Sequence, residues 1–320
     1  MILKPIHNIS LFSEKAEPVL GVFASQKWMS IYGNSLSVIG IYKDEQQLIG
    51  GFYFFKTKKA SFPFIKLPPY TPHCCLFWLS DSKNKASQNN VTKEVMTEVC
   101  DYISKQQAAL TILAFPWQIK DLQPFIWNNF KVIPHYTYHL ALNQSIEEIR
   151  ANYDSKNRNA INKSLKEGVE VRLNHVPNNT LYDYFVSSLQ TTDANIYHHE
   201  LHQLFTVFAD TTNSFSMNAY LGDKNIGNVF CAYDANTCYY LLGGVDKNAG
   251  VQGINDLLVD KCIENAQLLG CQTFDFEGSM LKGVEKFFRS FGPELVPYYT
   301  VNKASLPLEL LLKFKKRALF

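Results

Sequence analysis

The sequence predicts an α/β protein of two domains, each a mixed sheet with helices on its faces. A length of 320 residues exceeds one small core and is ordinary for two domains. Period-two apolar runs alternate with helical-period runs through both halves. Each half also places antiparallel strands first and strand–helix–strand units after them, the order expected of a mixed sheet. A composition of 46% hydrophobic and 19% charged residues is that of a folded globular chain.

Residues 36–42 and 48–55 read as a hairpin, with Lys43-Asp44-Glu45-Gln46 in its loop. The stretch Pro63–Pro72 is dense in proline and is expected to be a fixed surface loop, excluded from helix and central strand alike. Val91, Val95, Val99 and Tyr102 recur at helical spacing and predict a helix over 90–106. Strands follow at 110–115 and 132–142. Ser145 and Glu148 have capping-box spacing and open a new helix. The domain boundary is therefore placed just before it, giving domains 1–143 and 144–303. In the second, helices are expected at 156–167, 179–192, 198–210, 252–269 and 283–290. Strands are expected at 215–221, 227–234, 238–245, 272–276 and 295–302. Residues 304–320 end in an amphipathic, basic segment, Leu308–Phe320, that reads either as a packed terminal helix or as one resting on an anionic membrane surface.

A formal charge of +2 gives no electrostatic argument for binding duplex DNA. Seven cysteines without framework spacing fit free thiols in a reducing compartment. The N-terminus lacks a secretion-signal pattern, and no apolar run approaches the roughly 18 residues of a membrane span. A cytoplasmic protein, with a peripheral membrane role left open, is the expectation. His198-His199-Glu200-Leu201-His202 lacks the His-Glu-x-x-His register, so no metal is expected. Gly-x-Ser-x-Gly, Walker and Gly-x-Gly-x-x-Gly motifs are absent, which speaks against hydrolase, nucleotidase and Rossmann chemistry.

Two segments carry candidate chemistry. After the strand ending Gly243-Gly244, a turn through Gly250, Gln252 and Gly253 leads into a helix beginning Ile254-Asn255. Backbone N–H groups at such a helix start suit a phosphate or carboxylate, although glycines also end strands for steric reasons alone. In Thr273–Met280, strand alternation puts Asp275 and Glu277 on one face and Phe274 and Phe276 on the other. Two carboxylates at a strand's C-terminal end need a cation, a proton or a substrate amine, unless Lys282 and Arg289 simply neutralise them. On an earlier helix, Arg158, Ile161 and Leu165 are expected to share one face.

These residues resemble the Fem-type peptidyltransferases within the GNAT acetyltransferase superfamily, closest to arm-less members from Gram-negative bacteria. The likeness rests on the Pro-Pro-Tyr-Thr-Pro loop with Tyr70, the Arg158…Gly168-Val169 run, the Gly250–Leu258 turn and helix, and the Asp275–Gly292 block. The resemblance implies two tandem GNAT-like domains with an active cleft between them. It implies transfer of an acyl or aminoacyl group to an amine acceptor, a small molecule or a lipid-linked cell-envelope precursor. Acyl-CoA or aminoacyl-tRNA would be the donor, with no tightly bound cofactor. A carboxylate at that strand end, Asp275 or Glu277, can orient or deprotonate the amine, and by the resemblance Arg289 would hold the oxyanion. Tyr70, Arg158, Phe288 and Tyr298 would contact substrate. Gly250, Gln252, Gly253, Ile254 and Asn255 would bind the donor. Lys247-x-x-Gly250-x-Gln252 departs from the superfamily's Gln/Arg-x-x-Gly-x-Gly/Ala turn, and Gly33 stands where a basic residue is expected. A non-catalytic binding module that kept the fold is the alternative.

Overall fold

A computed structural model describes the chain except residues 60, 81, 190–195, 279 and 316–320. Residues 190–192 of the expected fourth helix, Ser279 and the end of the terminal helix lie outside the described residues. In chain order the elements are β1 (Ile2–Pro5), α1 (Ile9–Leu20), α2 (Gln26–Ser30), β2 (Leu36–Tyr42), β3 (Leu48–Lys59), β4 (Phe62–Lys66) and β5 (Phe77–Trp78). Next come α3 (Lys85–Lys105), β6 (Leu110–Ala114), α4 (Gln123–Trp127), β7 (Lys131–Ala141), α5 (Ile146–Ala151), α6 (Ser155–Lys166), β8 (Val169–Asn174), α7 (Asn179–Leu189) and α8 (His198–Gln203). The rest are β9 (Ser214–Leu221), β10 (Lys224–Tyr233), β11 (Thr237–Val245), α9 (Ile254–Leu268), β12 (Thr273–Asp275), α10 (Lys282–Arg289), β13 (Glu294–Ala304) and α11 (Leu306–Lys315).

The chain divides into a first unit, Met1–His135 with Pro297–Phe320, and a second, Tyr136–Val296. The boundary expected at 143 therefore moves back into β7, and the expected limit at 303 moves back into β13. The reason is strand pairing. The C-terminal part of β13 pairs antiparallel with β6, Thr300 opposite Ala114, which returns the chain end to the first unit. A capping box marks where a helix begins, not where a sheet ends. That box is formed: the Ser145 hydroxyl accepts from the Glu148 N–H, and the Glu148 carboxylate accepts from the Ser145 N–H at 2.8 Å.

In the first unit the strands run β1-β2-β3-β4-β6-β13, with β5 also on β3. The core under them joins Phe52, Phe54, Ile65, Leu113 and Val301 to the α3 residues Val95, Val99 and Ile103. The expected surface loop at Pro63–Pro72 is corrected on two counts. Phe62–Lys66 is a strand, antiparallel to β3 and parallel to β6. Pro63 is tolerated because it stands near the strand's start, where its carbonyl accepts from the Ala109 N–H and no amide is needed. Pro68, Pro69 and Thr71 are buried, held by the Tyr32 hydroxyl on the Pro69 carbonyl and the Trp28 indole N–H on Thr71.

In the second unit the order is β7-β12-β11-β10-β9-β8; β12 is parallel to β11 through the α9 crossover, and every other pairing is antiparallel. One sheet face is apolar. Leu140, Tyr138, Phe274, Cys238, Val229, Cys231, Phe215 and Met217 pack there with the α9 residues Leu258 and Cys262. The opposite face, by alternation, receives Thr137, His139, Asp275, Tyr239, Asn228, Asn218 and Ser216. The expected helix at 198–210 is α8 followed by a π-helical turn at Leu204–Phe208.

Candidate active site

The polar face of the second sheet centres on Asp275. Its strand is only three residues long and lies between β7 and β11, so the registers set its neighbours: His139 on one side and Tyr239 on the other. The Thr137 hydroxyl donates to Asp275 Oδ1 at 2.5 Å, and the Glu277 backbone N–H donates to the same oxygen at 2.9 Å. His139 Nε2 stands 3.1 Å from Asp275 Oδ2. Asp275 is 9% exposed, so this carboxylate exchanges water for three neighbours of its own chain.

Asp275 and Glu277 do come together, by a route other than strand alternation. The strand ends at Asp275, and Glu277 turns back with φ at +59°, a conformation uncommon for a residue with a side chain. Gly278 follows with φ at +64°, and a Cβ there would stand 2.2 Å from the Tyr136 carbonyl oxygen. Close passage against β7 thus requires glycine at 278, and Glu277 is held in place by the same passage. Its Oε1 is buried without a hydrogen-bond partner. Burial, followed by the charge of Asp275, pushes the Glu277 carboxyl well above the usual range. The Tyr239 hydroxyl is likewise pushed up, by burial first and then by Asp234, Asp275 and Glu277. A carboxyl that holds its proton more tightly than usual, beside a hydrogen-bonded carboxylate, is an arrangement suited to proton transfer.

Arg289 is not part of this cluster. Its Nε donates to Glu285 Oε1 at 2.7 Å, and the Tyr138 hydroxyl donates to the same oxygen at 2.7 Å. Tyr138 points to the apolar side of β7, opposite Thr137 and His139, so the guanidinium is engaged on the other side of the sheet from Asp275. Phe288, expected at substrate, is a core residue 4% exposed, with its ring 5.2 Å from that of Phe276. Arg158 caps the end of α5, donating from Nη1 to the carbonyls of Ala151 and Tyr153. The buried stripe of α6 is Asn157, Ile161 and Ser164, whereas Leu165 is exposed. The expected Arg158–Ile161–Leu165 face is therefore rotated off the true contact face.

Tyr70 and Tyr298 belong to the first unit. Tyr70 is half-buried with φ at +61°, and the Tyr298 ring stacks on His135 at 5.5 Å.

The turn before α9 is pinned by α6. Lys163 Nζ donates to Gln252 Oε1 at 2.9 Å, and the Ser164 hydroxyl donates to the Gln252 carbonyl at 2.5 Å. Gly253 is the left-handed N-cap at φ +81°, and a Cβ there would lie 2.3 Å from the Ala160 carbonyl oxygen. Its glycine thus serves helix packing. Gly250 at φ +73° has open space around it, Ile254 is buried, and Asn255 is half-buried at the helix's first turn.

Thr137, His139 and Tyr239 are site residues beyond those the sequence pattern points to. Thr137 and His139 share a strand face two apart, a legible signal, but the register bringing them to Asp275 spans more than 130 residues of chain. Ser216, Asn218 and Asn228, all fully buried on the same sheet face, extend the polar row. The Asn218 side-chain nitrogen has no partner there.

Residues 155–289 match the family model of the acetyltransferase (GNAT) domain. No curated protein matches the sequence closely enough to count as a relative. Among solved structures, FemX is similar at a TM-score of 0.64 and 12% identity, over 98% of this chain and 100% of that one. L-PGS from Bacillus licheniformis is similar at 0.58 and 12% identity, over 95% of each chain. A tandem GNAT protein from the clavulanic acid biosynthesis pathway is similar at 0.54 and 8% identity, over 94% of this chain and 98% of that one. The segment that holds Asp275 and Glu277 thus matches an acetyltransferase domain, and the whole chain shares its fold with FemX and with a tandem GNAT protein.

Proposed function

We propose that this chain transfers an activated acyl or aminoacyl group to an amine acceptor, with Asp275 receiving the amine's proton. The observation that carries this reading is the pair of buried Asp275 and half-buried Glu277, at the C-terminal end of a central strand within the segment matching an acetyltransferase domain. The acceptor nitrogen attacks the donor's carbonyl carbon. As the C–N bond forms and the bond to the leaving thiol or hydroxyl breaks, the nitrogen loses a proton to Asp275. Glu277, neutral at rest, gives its proton to the leaving group and is restored by Asp275. Thr137 and His139 fix the Asp275 carboxylate. Arg289 is left out of the reacting centre, because Glu285 already engages it.

The donor's phosphates would meet the turn through Gly250, Gln252, Gly253, Ile254 and Asn255, since a helix start without a side-chain cap offers amides to an anion. FemX and L-PGS as fold relatives support a lipid-linked or aminoacyl reaction, and the GNAT match supports acyl-CoA.

Thermal unfolding with CoA, acetyl-CoA, a longer acyl-CoA and an aminoacyl-tRNA mixture tests the reading, followed by label transfer to amines from whichever donor binds. A donor at 100 times its dissociation constant adds about 2.7 kcal/mol. An Asn255→Asp variant, which adds one negative charge at nearly constant volume, should weaken that shift. No shift with any donor would turn the reading to a binding module that keeps the fold without the chemistry.

A further inference from the structure

The modest net charge conceals two strongly charged bodies. The first unit holds 18 lysines and one arginine against 10 acidic residues, or +9. The second holds 12 basic against 19 acidic residues, or −7. A charge split of this size between units of one chain needs a reason outside the fold.

Part of the positive charge in the first unit gathers at one end of its sheet. The β3–β4 hairpin carries Lys56 and Lys58 on one arm, and Phe62, 62% exposed, on the other. The Ala109 N–H donates to the Pro63 carbonyl at 2.8 Å, and the Ser305 N–H donates to the Ala109 carbonyl at 2.9 Å. Those two bonds set the hairpin end, the start of β6 and the start of α11 side by side, within about 10 Å at ordinary strand spacing. Beside the hairpin, Lys56, Lys58, Ser35 and Gln106 line an open cavity of about 480 Å³.

The helix α11 adds an apolar face at the same end. Leu308 and Leu312 are half-buried, and the exposed positions are Leu306 at 77%, Leu310 at 52%, Leu311 at 49% and Phe314 at 90%. Leu306, Leu310 and Phe314 fall at i, i+4 and i+8 and form one stripe, while Lys313 on the same helix is paired with Glu309 at 2.9 Å, so the cations offered at this end come from the hairpin. Four exposed large apolar side chains on a ten-residue helix are unusual on a soluble face.

We propose that this end of the first unit, formed by Lys56, Lys58, Phe62, Leu306, Leu310 and Phe314, docks on an anionic phospholipid surface. Both halves of the chemistry are present: apolar side chains that enter the acyl boundary, and lysines that meet the headgroup phosphates. The lysine bias favours lipid over nucleic acid. Lysine is a mobile point charge suited to a diffuse anionic surface, whereas phosphate-backbone recognition favours the planar arginine fork. Bare leucines beside the lysines also gain nothing from a nucleic-acid backbone.

Co-sedimentation of the full chain with vesicles tests this, using equal parts phosphatidylglycerol and phosphatidylcholine against phosphatidylcholine alone. The chain should pellet with the anionic vesicles, stay in solution with the neutral ones, and be released by salt. Lys56→Glu/Lys58→Glu should weaken partition by roughly thirtyfold or more. Leu310→Glu/Phe314→Glu should abolish it. All four positions are exposed, and unchanged circular dichroism of each variant shows that the fold is kept. Wild type failing to pellet at low salt overturns the proposal, as do variants that pellet like wild type. A dimer dissociated by the Leu310/Phe314 change, without vesicle binding, would assign the stripe to a second copy instead. Binding to polyuridylate that survives the Leu310/Phe314 change, without vesicle binding, would assign the lysines to nucleic acid. The transferase reading stands or falls separately.

Discussion

The two units solve the same packing problem and differ in where they keep charge. In the first, the core is a mass of aromatic rings on α3, and the charge is positive and carried at the surface. In the second, the sheet has one apolar face and one polar face, and among the described residues the buried aspartates Asp260 and Asp275 both lie here. A buried carboxylate is costly unless its oxygens are occupied. Asp260 meets that need completely, taking two bonds from Arg150 at 2.8 and 2.7 Å and one from the Tyr153 hydroxyl. Asp275 and Glu277 meet it unequally, and one Glu277 oxygen is left unpaired. Unpaired amide nitrogens also occur in this unit, at Asn157 and Asn218, but an unpaired carboxyl oxygen beside a second carboxylate is the more costly arrangement and marks the place where function, not stability, sets the residues.

The largest effect is expected at Asp275. Asp275→Asn keeps the shape and removes the proton acceptor, so transfer should fall by about 10²- to 10⁴-fold while melting changes little. Lys56→Glu/Lys58→Glu, in the first unit, should leave transfer to a soluble amine unchanged. Steady-state rates with the same donor separate the two. Equal losses would break the division of labour between the units.

Asp260 should show the opposite pattern. Asp260→Ala strands the Arg150 guanidinium, which is one-third exposed, and should cost about 3 kcal/mol in denaturant unfolding. Transfer per folded molecule should be kept. A fully active, fully stable Asp260→Ala protein would refute the structural role.

Two glycines allow a closer comparison. A Cβ at Gly50 would lie 2.4 Å from the Phe77 carbonyl oxygen, and one at Gly278 lies as close to Tyr136. Each change to alanine should destabilise by about 2 kcal/mol. Only Gly278→Ala, which displaces Glu277, should lower kcat beyond the loss of folded protein. If Gly50→Ala lowers kcat equally, the reacting centre is not confined to the second unit's polar face.

What the sequence made legible follows the range of each interaction. The β2–β3 hairpin, the α3 stripe and the Ser145–Glu148 box depend on residues within a turn or two, and local pattern finds them. Asp275 and Glu277 were found together because two positions apart is close in any backbone, even though a left-handed turn makes the contact. The α6 contact face lies one position from the expected one because Asn157 and Ser164, though polar, are the buried residues there. Thr137, His139 and Tyr239 depend on register between distant strands, which a single sequence does not encode in readable form. The same limit hid the return of β13 to β6, and with it the true division of the chain.

The finest comparison lies between the two carboxylates of the candidate site. Glu277 is pushed above its ordinary value near 4.3 by burial and by Asp275. Below that value Glu277 is protonated in both folded and unfolded chains and contributes no slope. Above it the unfolded chain loses the proton first, while the folded chain keeps it until its own raised value is reached. The folded state therefore binds the extra proton through this window, and stability falls as pH rises, by at most about 1.4 kcal/mol per pH unit. Glu277→Gln is neutral throughout and lacks that slope. Stability of wild type minus that of Glu277→Gln, from urea unfolding across mildly acidic to neutral pH, should decline steadily and then level off. Parallel curves would mean that Glu277 ionises as freely when folded as when unfolded, and the proton held beside Asp275 would be lost from the mechanism.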